Sequence, residues 1–429
     1  MNKSRLFVSL ILCLLVSAVS GLAQNVQKIT LKQAEDIAVA NHPRVREAQM
    51  NAFAAGETVK EARSAYFPIA YGNLTGAEAL DKSRIAAGGL NNPIIFDRYS
   101  NGITASQLVT DFGRTKNLVA SARLDARSAQ EDVNTARADI LLDVDNAYYT
   151  VLRAAAVLKV AQETVSARQI VADQVSALAQ SKLKSDLDAS FANVNLAEAK
   201  LMLVQAQNDL KTANAQLSAT MGFSDQRQFE LVEEPLPGAP LPDLTGALAE
   251  ALRKRPELSS LRYQRDAAEK FAKAERDLWF PAVSAVGAAG FTPLHDSNLE
   301  DRYAAAAVNV NIPIFNGYLF SGRKAKAQFE FRAEQERLRD MEDQISRDIR
   351  IAWLNADTAF QRLALTRQLL DQASLSLDLA QARYQLGLGS IVEVTQAQLN
   401  KTQAEIAQAS ARYEYQDRRA ILLYEMGDL

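Results

Sequence analysis

The chain has 429 residues, with 48 Lys and Arg against 51 Asp and Glu for a formal net charge of −3. That balance offers no basic surface for nucleic acid. Its 2 His and 1 Cys supply no histidine-rich metal motif and no cysteine pair. There is also no nucleophile elbow, so neither an enzyme nor a metal or cofactor site is expected.

Lys3 and Arg5 precede an apolar run from Leu6 to Val19, and Gly21-Leu22-Ala23 comes next. A basic head, a short apolar run and a small-x-small site predict a secretory signal peptide cut after Ala23. A lipoprotein signal modified at Cys13 fits less well, because Leu12 stands where a small residue should precede the cysteine. The mature chain is then exported and free of cysteine. It has no apolar run long enough for a membrane helix.

The mature chain repeats one unit twice. Leu31 to Pro68 aligns without a gap on Leu244 to Pro281, placing Pro43 on Pro256, Arg63 on Arg276 and Tyr66-Phe67-Pro68 on Trp279-Phe280-Pro281. Asp143 to Gly222 aligns likewise on Asp348 to Gly427. The register changes between Pro68 and Asp143, as a loop allows. The predicted organisation is therefore a signal peptide (1–23), a first repeat (24–222), a Pro-rich linker (223–243) and a second repeat (244–429).

Each repeat opens with a helix. Thr30 with Gln33 predicts a capping box, and Asp243 holds the matching cap position. The helix bends near Pro43 or Pro256 and stops at the aromatic-Phe-Pro motif. A hairpin of two strands comes after it, over about 68–112 and about 281–315, each strand about 10 to 14 residues long. Alternation is clearest in the second, with Val308, Val310, Ile312 and Ile314 on one face and Asn309 and Asn311 on the other. Helical hairpins complete the repeats, over about 114–222 and about 323–427. Outbound seams run at heptad spacing from Ile140 to Ala179, broken only at Arg168, and from Ile345 to Ala380. A return seam runs from Leu196 to Leu217. At 1.5 Å per residue, Arg114 to Lys182 would be roughly 100 Å long.

The stretch YQLGLGSIVEV, Tyr384 to Val394, marks the second reversal. Gly387 and Gly389 fit a left-handed helix-to-helix turn there. The first copy has Lys182 and Lys184 at these places, so that tip is expected to turn differently. The fold class is mixed and mainly α: long antiparallel coiled-coil helices plus four strands per chain, internally duplicated. Four strands cannot close a barrel alone. An exported chain with strands of bilayer-crossing length suggests a barrel shared between subunits, eight strands from two chains or twelve from three.

This pattern resembles the TolC-like outer-membrane efflux proteins over nearly the whole mature chain. The marks are ITLKQAEDIAVANHPRV (Ile29 to Val45), the two aromatic-Phe-Pro stops, LVTDFGR (Leu108 to Arg114), IPIFNG (Ile312 to Gly317) and the Tyr384 to Val394 stretch, in this order. The resemblance implies a homotrimer with a twelve-stranded barrel in outer-membrane lipid and an α-helical tunnel in the periplasm. It implies the exit duct of a tripartite efflux pump or type I secretion system, docked on a periplasmic adaptor (membrane fusion protein) that leads to an inner-membrane transporter. Selectivity then lies mostly in that transporter.

The resemblance also implies sites. Glu393 matches an acidic constriction position, Gln396 stands where some members carry a second acid, and Tyr384 matches an aromatic on the preceding helix. Three copies of Glu393 around an axis would make an anionic ring that favours cations. The first-copy counterparts are Asp188 and Phe191. Adaptor contacts fall at the tips: Gly387, Leu388, Gly389 and Ser390 in one groove, Lys182, Leu183, Lys184 and Ser185 in the other. Glu393 also reads as an ordinary solvated helix charge, and the glycines need no partner to explain them.

Other readings weigh less. Gly317 to Lys324 imitates a phosphate loop but carries Arg323 for the required Lys and Lys324 for the hydroxyl, without strand–loop–helix context. His42 precedes Pro43 at a helix bend, and His295 sits in a predicted loop. An exported coiled-coil scaffold or adhesin is the alternative, but it needs no paired strands in both repeats. A periplasmic adaptor has a single helical hairpin between β-domains, against the tandem duplication.

Overall fold

The computed structural model describes residues 27–78, 80, 97–225, 227, 229–236, 241–294 and 300–429. The predicted signal peptide, Cys13, His295 and parts of the strand-connecting loops and the linker lie outside the described residues. In chain order the elements are β1 (Gln27–Ile29), α1 (Leu31–Asn41), α2 (Pro43–Ser64), β2 (Ile69–Ala77), β3 (Arg98–Thr110), α3 (Arg114–Gln180), α4 (Asp186–Thr220), β4 (Phe229–Leu231), α5 (Leu244–Lys254), α6 (Pro256–Arg276), β5 (Ala282–Leu294), β6 (Arg302–Asn311), α7 (Leu319–Gln385) and α8 (Ile391–Met426).

Local chemistry sets the boundaries. Thr30 Oγ1 accepts from the Gln33 N–H at 3.3 Å and the Gln33 side chain accepts from the Thr30 N–H at 3.0 Å, a complete capping box. Asp243 caps α5 by accepting from the N–H groups of Thr245 and Gly246 at 3.1 and 3.2 Å. The predicted bends near Pro43 and Pro256 are full breaks. His42 and Arg255 are extended, with ψ of 130 and 124. A residue before proline avoids the helical region, and proline itself starts the next helix well.

The four longer strands form one antiparallel sheet in the order β2-β3-β5-β6. The alternation through Ile314 overshoots, since β6 ends at Asn311. Pro313 has no N–H to give a ladder, and Ile312 and Ile314 are 61% and 90% exposed. Gly102 and Gly290 are paired neighbours under the Tyr303 ring, where a methyl on either would collide with it. β1 and β4 form a second, two-stranded parallel sheet that no sequence pattern foretells.

The described residues fall into two compact units that cut across the repeats. One takes the described residues up to His42, Ile140–Leu241 and Asn355–Ile421. Its interior follows the heptads: Ile140, Val144, Ala147, Val151, Ala161, Ala172 and Val175 of α3 and Leu196, Ala199, Ala206, Ala213 and Leu217 of α4 are buried. The seam's one break, Arg168, is only 7% exposed, and its Nη1 donates to the Asn195 carbonyl across the hairpin at 2.9 Å. Tyr148 is fully buried, its hydroxyl 2.7 Å from the Val232 carbonyl oxygen and 3.1 Å from that of Ile29, which pins both short strands to α3.

The other unit takes Pro43–Asp139, Pro242–Leu354 and Leu422–Leu429. Its buried charges are paired, as burial requires. Arg255 bonds Glu257 and Glu425 and stacks on Tyr424, whose hydroxyl donates to Asp139 at 2.5 Å. Glu275 is 1% exposed and receives two bonds from Arg323 at 2.6 and 2.8 Å. The arginine of the phosphate-loop imitation is thus committed to a carboxylate.

Candidate functional site

The two helical reversals carry every residue that the sequence singles out. They turn alike, contrary to the expectation that the first tip must turn differently. Lys182 has φ 57 and Gly387 φ 73. The N–H of Lys182 reaches the Ala179 carbonyl at 2.9 Å and that of Leu183 reaches Leu178 at 2.9 Å. The N–H of Gly387 reaches Tyr384 at 3.1 Å and that of Leu388 reaches Arg383 at 2.8 Å. Both are Schellman closures around one left-handed residue. The first tip places a lysine where the second places a glycine.

Gly389 needs a different explanation from the one the sequence suggests. Its φ is not positive. A Cβ there would stand 3.1 Å from Glu393 Oε2, 3.2 Å from Arg383 Cβ and 3.4 Å from the Tyr384 nitrogen. Glycine at 389 therefore leaves room for a carboxylate to fold back over the turn.

Serines start both return helices. Ser185 and Asp188 form a capping box, with Ser185 Oγ accepting from the Asp188 N–H at 3.1 Å. Ser390 Oγ accepts from the Glu393 N–H at 3.3 Å. Glu393 and Asp188 thus hold equivalent first-turn places, where a negative charge suits the helix dipole. The Glu393 carboxylate lies 3.5 Å from Arg383 Nε, both side chains being about half exposed. Arg383 also donates to the Leu388 carbonyl at 3.1 Å.

Gln396 is exposed one turn on and donates to Asn400 Oδ1 at 3.0 Å. Tyr384 is half-buried against a cluster of Ala172, Val175, Ala192, Leu196 and Ile391. Lys184 Nζ sits 3.9 Å over its ring. Burial, and then the nearby Asp188, push the phenol up from its usual value. Leu183 and Leu388 are 70% and 68% exposed, so each tip presents an apolar side chain, between two lysines at the first and two glycines at the second. Phe191 is partly exposed.

Within one chain the three expected constriction residues therefore have separate partners: Glu393 with Arg383, Gln396 with Asn400, Tyr384 with Lys184. Three contacts are not readable from the sequence: Lys184 on Tyr384, Arg383 on Glu393, and Asn195 Nδ2 on Thr395 Oγ1 at 2.8 Å. The one signal is the polar break of the seam at Arg168. The chemistry of the tips is contact and charge, with no nucleophile beside a base. Among the described residues no group of three or more His, Cys, Asp or Glu could hold a metal ion.

The outer membrane efflux protein family matches residues 36–223 and 247–427. Outer membrane protein TolC of Escherichia coli (strain K12) is 23% identical over 414 residues, covering 93% of this chain and 82% of that protein. Outer membrane efflux protein BepC of Brucella suis is 24% identical, covering 83% of this chain and 76% of that protein. Among solved structures, the outer-membrane channel OprN superposes with a TM-score of 0.82 at 18% identity, over 93% of this chain and 90% of that one. The Campylobacter jejuni CmeC outer membrane channel superposes with 0.79 at 16% identity, over 93% and 85%. Nothing in these likenesses favours the scaffold or adhesin reading.

Proposed function

The chain belongs to the outer membrane efflux protein family, and from that premise we propose that it is the exit duct of a tripartite efflux pump or type I secretion system, a passive conduit through the outer membrane gated at its periplasmic helical tips. The observation that carries this reading is the four-stranded sheet. Its outer strands β2 and β6 have no further strand partner among the described residues, and β6 is exposed along its whole length. Unpaired edges are intolerable in hydrocarbon, where each backbone group must be satisfied within protein. Four strands are too few to close, since about eight is the practical minimum. At 9 to 13 residues they are long enough to cross when tilted.

Three copies, each joining β6 to the next copy's β2, close a twelve-stranded barrel against outer-membrane lipid. The signal peptide (1–23) directs export. The repeats 24–222 and 244–429, joined by the linker 223–243, each supply one hairpin to the barrel and one helical hairpin to the periplasmic tunnel. A periplasmic adaptor, itself linked to an inner-membrane transporter, docks on Lys182, Leu183, Lys184 and Ser185 in one groove and Gly387, Leu388, Gly389 and Ser390 in the other. Glu393 and Gln396, with Tyr384 behind them, face the constriction.

The test is the mass and solubility of the purified protein. The expected result is a cross-linkable trimer that needs detergent. Deleting residues 69–110, which removes one strand hairpin, should leave the chain outside the membrane. A lone subunit stable in water, or normal membrane assembly of the deletion, sinks the reading.

A further inference from the structure

The four-stranded sheet has two unlike faces. Its register puts Asn73, Gly102, Gly290 and Tyr303 in one row, one residue from each strand. Successive residues of a strand point to opposite faces, so Tyr71, Thr75, Ser100 and Thr104 share the face of that row. Asn73 Nδ2 donates to Thr104 Oγ1 across it at 3.0 Å. The opposite face carries Leu74, Ile103, Val308 and Val310, all of them exposed. Tyr303 lies down on the polar face. A Cβ at 290 would stand 2.5 Å from its hydroxyl oxygen and 2.6 Å from its Cζ, and a Cβ at 102 would meet the same hydroxyl. The ring therefore crosses β5 and reaches β3, with a glycine beneath it on each strand. Its other side is open, and the residue is 40% exposed.

We propose that Tyr303 lines the lumen of the duct and that its open face is a contact site for organic cations on their way out. This rests on the twelve-stranded barrel proposed above. A membrane barrel turns its apolar face to lipid and its polar face to the lumen. That sends Leu74, Ile103, Val308 and Val310 to lipid and the Tyr303 row inward. Around the lumen the row then repeats three times as Asn, Gly, Gly and Tyr. The face of an aromatic ring is negative and attracts a cation, a contact that the Asn, Ser and Thr side chains around it do not offer. With glycine at 102 and 290 the ring lies flat, so the contact is made without blocking the passage.

Charge does not explain such a contact. Arg98 and Arg302 are the charged residues of the four strands. Arg302, next to Tyr303 in β6, points to the opposite face, and Arg98 lies four residues from Gly102 on the same face. Arg98 repels cations of every kind, so an organic cation is favoured here by the ring alone. Arg98 also stays in place in each variant below, and its field cancels from the comparisons.

The test is single-channel recording of the whole protein in planar bilayers. The one cysteine of the sequence, Cys13, lies in the predicted signal peptide, so an introduced thiol is alone in the mature chain. Tyr303→Cys should react with a cationic methanethiosulfonate that does not enter lipid, and should lose current in steps as the copies react. Ala304→Cys, at the same level on the opposite face, should not. Tetrabutylammonium should block wild-type channels, and Tyr303→Ala should weaken that block roughly two- to fivefold, the size of an exposed cation–π contact. Tyr303→Phe should keep it. Tyr303→Leu covers the glycines without a π-face. It should weaken the block as Tyr303→Ala does, and it carries the test if Tyr303→Ala does not assemble. The glycines themselves are left in place, because a Cβ at 102 would also stand 2.8 Å from the Ala289 carbonyl oxygen. Current that ignores the reagent in Tyr303→Cys, or equal block in wild type and Tyr303→Leu, overturns the proposal and leaves the barrel standing. Wild-type protein that makes no channels overturns the barrel, and the contact site with it.

Discussion

The two helical tips share a backbone and differ in side chains. Both close with the same pair of hydrogen bonds around a left-handed residue, and both restart the chain with a serine cap. The second tip reaches this with Gly387, while the first puts Lys182 in a conformation that costs an L-residue roughly 1–2 kcal/mol. The second also carries Tyr384 and a folded-back Glu393. At the corresponding places the first has Ala179 and Asp188. The shared turn is fixed by the need to end one helix and begin another. The two tips differ in their side chains alone.

The largest difference between the tips should be felt at Tyr384. Its ring closes the cluster of Ala172, Val175, Ala192, Leu196 and Ile391 and takes Lys184 on its other side. Tyr384→Ala should destabilise the tip by about 2 kcal/mol, below the cost for a fully buried aromatic because the ring is only half-buried. Tyr384→Phe should be nearly neutral, since the buried hydroxyl has no hydrogen-bond partner to lose. Hydrogen exchange of residues 172–196 in both variants checks this. Equal loss in the two would mean that the hydroxyl, and not the ring, holds the tips together.

Exchanging the turn residues should give a smaller effect and bears directly on whether the two turns are equivalent. Gly387→Ala should cost about 1 kcal/mol at φ 73. Lys182→Gly should relieve strain and gain somewhat less than about 1 kcal/mol, because glycine also loses more freedom on folding. Denaturant midpoints for the pair should move in opposite directions. Movement in the same direction would show that Lys182 is held there by a contact and that the turns are not equivalent.

Much of this is legible in the sequence, and the failures have a common cause. The heptads, the capping box at Thr30 and the aromatic-Phe-Pro stops are local patterns, and each specifies its element without help. Lys182 misleads because a residue type stands in for a conformation: no glycine, so no left-handed turn. Gly389 misleads in the opposite sense, because what it makes room for is a carboxylate four residues on. Bends at Pro43 and Pro256 prove to be breaks, because the residue before each proline also leaves the helix. Tyr303 over Gly102 and Gly290, Lys184 over Tyr384 and Asn195 against Thr395 join segments far apart in the chain. No periodicity announces such pairs.

The smallest stability effect belongs to the contact with the largest expected bearing on conduction. Arg383 and Glu393 are each about half exposed and 3.5 Å apart, so solvent screens them and the pair contributes at most about 0.5 kcal/mol. Arg383→Gln should therefore leave the denaturant midpoint almost unmoved. In the proposed trimer, however, each Arg383 offsets one Glu393, so a ring of three acids carries its full charge only when the arginines are gone. Channels of Arg383→Gln in planar bilayers should be more cation-selective than wild type, and Glu393→Ala with Gln396→Ala should be less selective and more conductive. If conductance and selectivity are unchanged in both, the carboxylate that folds over Gly389 caps a helix and does not line the constriction.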